Sequence, residues 1–126
     1  MPKTPRRVFL AYAPDDASWA ATLRNRLAHS GFDVYPSVDW PADVAGAIKR
    51  ADFLIPLMSR RTSKSMWVQR EIEQAIVSPH LKDRIFTVFM ESAVGSPWVL
   101  RSLPSVTESN ASRAADKVAQ FLKKTA

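Results

Sequence analysis

The chain has 126 residues, the length of one domain with a hydrophobic core. Its hydrophobic share of 46% is ordinary for a soluble domain, and no apolar run reaches the roughly 18 residues that a membrane span needs. The formal charge of +6 comes from basic residues dispersed along the chain, so we expect neither nucleic-acid nor membrane binding. No cysteine is present, which excludes disulfides, zinc–thiolate sites and thiol nucleophiles and weakly favours a cytoplasmic location.

Strand and helix signals alternate along the chain with short connections. Apolar runs rich in β-forming residues predict strands at 7–12, 32–37, 52–59 and 84–90, with a short fifth near 106. Apolar residues at helical spacing predict helices from Asp16 to Gly31, Asp43 to Arg50, Ser63 to Pro79 and Ser112 to Lys124. Asp15 or Asp16 can cap the first helix. Pro56 predicts a bulge or a strand end, because proline cannot donate to a sheet ladder.

The alternation predicts an α/β fold: a flavodoxin-like open parallel sheet of four to five strands with helices on both faces. In such sheets, ligands bind beyond the carboxyl ends of the strands. Those ends here include Tyr12, Ala13 and Ser59, and we expect Tyr12 and Ser59 to form part of a pocket wall. The chain lacks glycine-rich phosphate loops and a nucleophile elbow, and its two histidines lack ligand spacing, so we expect no metal site.

The stretch SKSMWVQREIEQA (63–75) predicts an amphipathic helix that follows the third strand. Glu71 and Trp67 are four residues apart and share the edge of its apolar face, so we expect Glu71 at a rim, neither fully buried nor freely solvated. That rim lies at the ligand-binding end of the sheet. From spacing alone, the better interpretation is an exposed helix acid paired with Lys64 or Arg70.

Two motifs, in order, resemble those of the Toll/interleukin-1 receptor (TIR) domain family. Residues 9–16, FLAYAPDD, are similar to the family's FISYSxxD, with Ala11 and Ala13 in place of serines. Residues 65–71, SMWVQRE, are similar to its S-x-W-x-x-x-E segment. The resemblance covers nearly the whole chain and implies that residues 1–126 are a single TIR domain. It suggests an effector domain taken from a longer protein, or one that works with a sensing partner.

TIR domains divide into adaptors that only assemble and enzymes that cleave the nicotinamide–ribose bond of NAD+. The resemblance places the catalytic glutamate of the enzymes at Glu71. Together with the strand ends, it gives these substrate-binding candidates: Tyr12, Ala13, Ser59, Arg60, Ser65 and Trp67. Among them, Trp67 can offer a face to the nicotinamide and Arg60 can meet a pyrophosphate. NAD+ is then the substrate, and no cofactor is implied.

One carboxylate is enough for this chemistry. Nicotinamide leaves NAD+ as a neutral amine and needs no general acid, whereas ordinary glycosidases use two carboxyl groups. An ionised carboxylate beside the ribose stabilises the cationic transition state. Because the reference pKa of glutamate is about 4.3, we expect Glu71 to be charged at neutral pH.

The resemblance also implies self-association. In the family, the BB loop after the second strand of one subunit completes the pocket of its neighbour, and a head-to-tail contact that does not close gives filaments. The corresponding residues are Asp39, Trp40, Pro41, Ala42 and Asp43, a loop that looks short and has alanine where the family has glycine. Activation by assembly and a role in antiviral, abortive-infection or immune signalling follow as expectations.

Two alternatives stay open. A signalling adaptor would assemble through the same surfaces without catalysis, and the short loop and the missing serines favour it. An enzyme similar to nucleoside deoxyribosyltransferases would use a glutamate on other N-glycosidic bonds. Release of nicotinamide from NAD+ separates these readings from the leading one.

Overall fold

The computed structural model describes residues 6–36, 44–60, 66–91 and 103–125. These residues form five strands: β1 (Arg7–Ala11), β2 (Asp33–Pro36), β3 (Phe53–Met58), β4 (Thr87–Phe89) and β5 (Ser105–Thr107). They also form four α-helices: α1 (Ala17–His29), α2 (Val44–Arg50), α3 (Met66–Ile76) and α4 (Ala111–Lys124). Short 3-10 turns lie at Pro14–Asp16 and Pro79–Leu81. None of the helices described is long and apolar enough to cross a membrane.

All neighbouring strands in the sheet run parallel, in the order β2-β1-β3-β4-β5. The register sets Ala11 opposite Pro56 and Met58 opposite Phe89, so the carboxyl ends of the three central strands meet at one edge. The predicted flavodoxin-like parallel sheet is therefore confirmed, including the short fifth strand near residue 106.

The helices cover both faces of the sheet, as predicted. Helices α1 and α4 pack together on one face, and α2 and α3 pack together on the other. Side chains of β1 alternate between the two layers: Val8 and Leu10 lie in the α1/α4 core, and Phe9 and Ala11 lie in the α2/α3 core. This alternation follows from the two-residue period of a strand, and it places the two central strands between two apolar layers.

Pro56 lies inside β3, and of the bulge or strand end expected near it the bulge is not found. The strand stays in register with β1 as far as Pro56, opposite Ala11, and ends at Met58. On the β4 side, the Leu54 N–H donates to the Arg84 carbonyl at 3.0 Å, and the Met90 N–H donates to the Met58 carbonyl at 2.8 Å. Pro56 lies midway between these points and has no N–H, so the β3–β4 ladder lacks one hydrogen bond while the strand itself persists.

Helix ends follow the predicted turn chemistry only in part. Gly31 comes just after α1 with φ of 94°, a left-handed conformation that glycine adopts without strain. Asn110 caps α4 and accepts a hydrogen bond from the Arg113 backbone N–H at 3.0 Å. Asp16 does occupy the N-cap position of α1, but its side chain makes no capping bond, so that part of the prediction is wrong. Its carboxyl group bonds elsewhere, at the edge of the sheet.

Candidate functional site

The carboxyl ends of β1 and β3 lie side by side, and the chain leaves them toward opposite faces. β1 continues through Tyr12 and Ala13 into α1, whereas β3 continues through Ser59 toward α3. Since the strand order reverses at β1, this edge is the topological switch point at which open α/β sheets bind ligands. Tyr12, Ala13 and Ser59 are all buried here. The structure thus brings the three predicted strand-end residues together, and all three are buried.

Asp16 and Ser59 join the two strand-end segments. The Ser59 hydroxyl donates to Asp16 Oδ2 at 2.6 Å, a distance typical of hydroxyl–carboxylate bonds. Both residues are buried, with 3% and 6% of their surface exposed respectively. Sequence reasoning gave Asp16 only a capping role and so missed this contact. The available signal was the final aspartate of the FLAYAPDD motif, which stands at position 16.

Glu71 is buried beneath α3, with 3% of its surface exposed. Ala75 lies one turn further along the same helix and Ile72 lies next to Glu71, and both pack in the α2/α3 core. α3 itself packs over β1 and β3, so Glu71 lies on the side of the helix that faces the sheet. The rim position predicted from spacing is wrong: the helix packs deeply enough to enclose the carboxyl group.

Neither carboxyl oxygen of Glu71 has a hydrogen-bond partner among the residues described. Burial raises the pKa of Glu71 from its ordinary 4.5 to about 9, because the charged form loses its hydration. Glu71 is therefore neutral at pH 7 in this state. The expectation that it is already ionised is wrong here, since a reference pKa describes a solvated group and this one is desolvated.

The burial of Glu71 also limits access to it. A nucleotide that contacts the carboxyl group has to displace the residues that cover it. Its neighbour two positions on, Glu73, is exposed. The two acids therefore share one helix but lie in opposite environments.

Arg60 follows Ser59 and lies at the surface. Its backbone N–H donates to Glu91 Oε1 at 3.0 Å, and its guanidinium Nε lies 3.8 Å from the same oxygen. The side chain is 80% exposed, so the guanidinium lies on the solvent side of the strand ends, beside the Glu91 carboxylate. A role for Arg60 in binding a pyrophosphate stays a prediction.

Several predicted site residues lie outside the part of the chain that is described. They are Ser65 and the BB-loop residues Asp39, Trp40, Pro41, Ala42 and Asp43. Trp67 belongs to the first turn of α3, but its side chain is also outside what the structure describes. Over residues 6–36, 44–60, 66–91 and 103–125, no three histidine or acidic side chains are grouped so as to hold a metal ion.

The family model for the TIR domain matches residues 8–123. The chain belongs to the TIR domain family. The match spans all five strands and starts at the motif that contains Asp16. Comparison with curated protein sequences gives no match.

Solved structures support the same fold. The TIR domain of the Toll-related receptor TRR-2 from Hydra magnipapillata is 17% identical, with a TM-score of 0.71 over 90% of this chain and 97% of that one. The CMP N-glycosidase BcmB from Clostridium botulinum is 19% identical, with a TM-score of 0.67 over 90% of this chain and 98% of that one. A de novo designed Rossmann 2x3 protein is 15% identical, with a TM-score of 0.55 over 96% and 91%. At these identities, the likeness shows the fold alone.

Proposed function

We propose that this TIR domain is a hydrolase of an N-glycosidic bond and that its substrate is NAD+, which it converts to nicotinamide and ADP-ribose or a cyclic ADP-ribose. The observation that carries this proposal is the buried carboxyl group of Glu71, which has no hydrogen-bond partner among the residues described. Buried polar groups in proteins are nearly always hydrogen-bonded, and exceptions with strongly shifted pKa values concentrate at functional sites.

The chemistry needs little beyond one carboxylate. As the C1′–N bond breaks, its electron pair moves to the pyridinium nitrogen, and nicotinamide leaves neutral. The positive charge moves to the ribose as an oxocarbenium ion, which the ionised Glu71 stabilises. Water then adds to C1′ and loses a proton. Apolar surroundings strengthen the attraction between the carboxylate and the oxocarbenium ion relative to the same pair in water.

Two further observations support glycosidic chemistry. By resemblance, the glutamate at this place in the W-x-x-x-E segment is catalytic in the NAD-cleaving members of the family. BcmB, whose fold is similar, is a CMP N-glycosidase. An adaptor that acts only by assembly would gain nothing from an unpartnered buried carboxyl group, which lowers the stability of the fold.

The second candidate is cleavage of a nucleotide with a neutral base, such as CMP. The raised pKa of Glu71 favours it, because a neutral carboxyl group can donate a proton to a leaving base. The two candidates have opposite pH dependences. Activity on a nucleotide with a neutral base should fall as Glu71 loses its proton near pH 9, whereas activity on NAD+ should rise toward that pH.

We also propose that assembly controls access to Glu71. TIR domains generally act through TIR–TIR association. Since Glu71 is covered in this state, a contact from a neighbouring subunit through residues 39–43 would serve to open and complete the pocket. Filament formation, a sensor domain or sensing partner, a cytoplasmic location and a role in antiviral or immune signalling belong to this same proposal.

The test is to incubate the concentrated protein separately with NAD+ and with CMP, and to measure released nicotinamide and cytosine by chromatography. We expect nicotinamide from NAD+, with loss of activity in Glu71→Gln. Glu73→Gln is the matched control, because it removes an exposed acid from the same helix and should leave the activity unchanged. Nicotinamide release that persists in Glu71→Gln would reject Glu71 as the catalytic residue. Cytosine release alone would favour the second candidate.

A further inference from the structure

The carboxyl group of Glu71 faces an uncharged environment. α3 packs against α2, β1, β3 and the turn Pro79–Leu81. The side chains that these elements contribute to the shared core are Phe9, Ala11, Ile48, Leu54, Met58 and Leu81. Charged or titratable residues on the same elements and on α3 lie at or near the surface: Arg7, Lys49, Arg50, Arg70, Glu73 and His80. Within the part of the chain described, the buried acid has no cation to balance it if it ionises.

We propose that a positive charge at the scissile base of the bound nucleotide makes Glu71 release its proton when the ligand binds. The inference rests on the proposed function and adds to it a proton that leaves the site on binding. The pyridinium ring supplies a cation that the described residues around Glu71 do not supply. The dihydronicotinamide ring of the reduced dinucleotide, NADH, is similar in shape but carries no charge.

Charge balance gives the physical reason. A lone ion in an apolar site is strongly disfavoured, whereas two opposite charges brought together offset much of that penalty. Binding of a pyridinium group to neutral Glu71 would bury one unpaired charge. Transfer of the Glu71 proton to solvent leaves a carboxylate beside a cation, with no net charge in the site. The same step produces the ionised carboxylate that the oxocarbenium ion then needs.

Linkage between proton and ligand fixes the pH dependence of binding. Without ligand, burial raises the pKa of Glu71 to about 9, so below that pH each bound cation displaces a proton. The affinity for the charged ligand should therefore rise about tenfold per pH unit up to roughly pH 9 and then level off. The affinity for the reduced dinucleotide should not rise with pH in this range.

The test is titration calorimetry with carbocyclic NAD+, in which a methylene replaces the ribose ring oxygen so that the pyridinium is retained and the bond is not cleaved. Measurements at pH 7.5 in phosphate and in Tris, which differ in ionisation enthalpy, give the number of protons released per ligand bound. We expect nearly one for the unmodified protein and for Glu73→Gln. We expect none for Glu71→Gln, and none when NADH is the ligand.

Each other outcome counts against the inference. No proton release, or release unchanged in Glu71→Gln, overturns it. Equal release with NADH would mean that opening of the site, and not ligand charge, ionises Glu71, which also overturns it. If Glu71-dependent cleavage of NAD+ occurs without proton release on binding, the inference fails and the proposed function stands. If the protein neither binds nor cleaves a pyridine nucleotide, both fail.

Discussion

Asp16 and Glu71 are equally buried carboxyl groups, one beside Ser59 where β3 ends and the other on α3, and they differ in their partners. Asp16 accepts the Ser59 hydroxyl at 2.6 Å, on the side from which α1 starts. Glu71, on the α3 side, has no partner among the residues described, and its pKa is raised accordingly. Burial is therefore the same for the two acids, and what distinguishes them is whether the carboxyl group has a hydrogen-bond partner.

The largest expected difference between these two acids is in catalysis. Glu71→Gln should lower kcat/KM for NAD+ by about 10²- to 10³-fold or more, because the amide cannot carry the charge that stabilises the oxocarbenium ion. Asp16→Asn keeps an oxygen that accepts from Ser59, and it should change kcat/KM less than tenfold. Steady-state nicotinamide release measures both. Equal losses in the two variants would remove the distinction between a structural and a functional acid.

A second difference is in how stability depends on pH. The folded-state pKa of Glu71 lies above the unfolded value, at about 9 against 4.5, so the folded protein holds a proton that the unfolded chain has lost. Its contribution to stability is complete below pH 4.5 and declines as pH rises toward 9. Relative to Glu71→Gln, the unfolding free energy should fall by about 1 kcal/mol per pH unit in this window.

Urea unfolding of both proteins at pH 6, 7 and 8 measures that slope. The Gln variant should be the more stable protein, with an advantage that widens as pH rises. A constant difference would show that Glu71 is solvated or paired in the folded state. Asp16→Asn serves as the comparison, because it alters a buried acid that has a hydrogen-bond partner.

The hydrogen bond between Ser59 and Asp16 should have a smaller effect, which is on the stability of the fold. Ser59→Ala removes a donor from the buried Asp16 carboxyl group and should destabilise the fold by about 1–3 kcal/mol. A double-mutant cycle with Asp16→Ala should give a coupling energy of about 0.5–3 kcal/mol, measured by denaturant unfolding. Additive effects of the two substitutions would show that the 2.6 Å contact contributes nothing to stability.

Glu91 provides the exposed reference for the two buried acids. It pairs with Arg60 at the surface, at 3.8 Å from the guanidinium Nε. Exposed ion pairs contribute at most about 1 kcal/mol, so Glu91→Gln should change the unfolding free energy by less than this amount. The change should also shrink at high salt. A larger effect would mean that partners and exposure are not sufficient to rank these acids.

The fold followed from the sequence because its signals are local. Apolar runs and helical spacing predicted the alternating strands and helices of a parallel α/β sheet, and even the three-residue β5 near Val106 was predicted. The bulge expected near Pro56 is absent, since a strand in the middle of a parallel sheet tolerates the loss of one donor on one edge while its other edge is paired. The Asp16 cap failed because a hydroxyl 43 residues away offers a better-placed bond.

The sequence singled out Glu71 through its motif, but it could not predict the charge of this residue. Whether Glu71 is charged depends on how deeply it is buried, and α3 packs against β1, β3 and α2, which come from distant parts of the chain. A helical wheel shows which face a residue occupies but not how deeply the helix packs. The rim position and the ionised carboxylate were wrong for that one reason.

The proline in β3 gives the sheet a mechanical asymmetry. β3 pairs with β1 from Phe53 to Pro56 but cannot donate to β4 at Pro56, so a seam with one missing hydrogen bond lies between β3 and β4. The Arg60 backbone N–H donates to Glu91 Oε1 across the same seam and so joins the carboxyl ends of β3 and β4. A force that pulls the carboxyl ends of the strands apart would meet the least resistance between β3 and β4. The Arg60–Glu91 contact then adds to the resistance at the carboxyl end of this seam, by no more than the roughly 1 kcal/mol of an exposed pair.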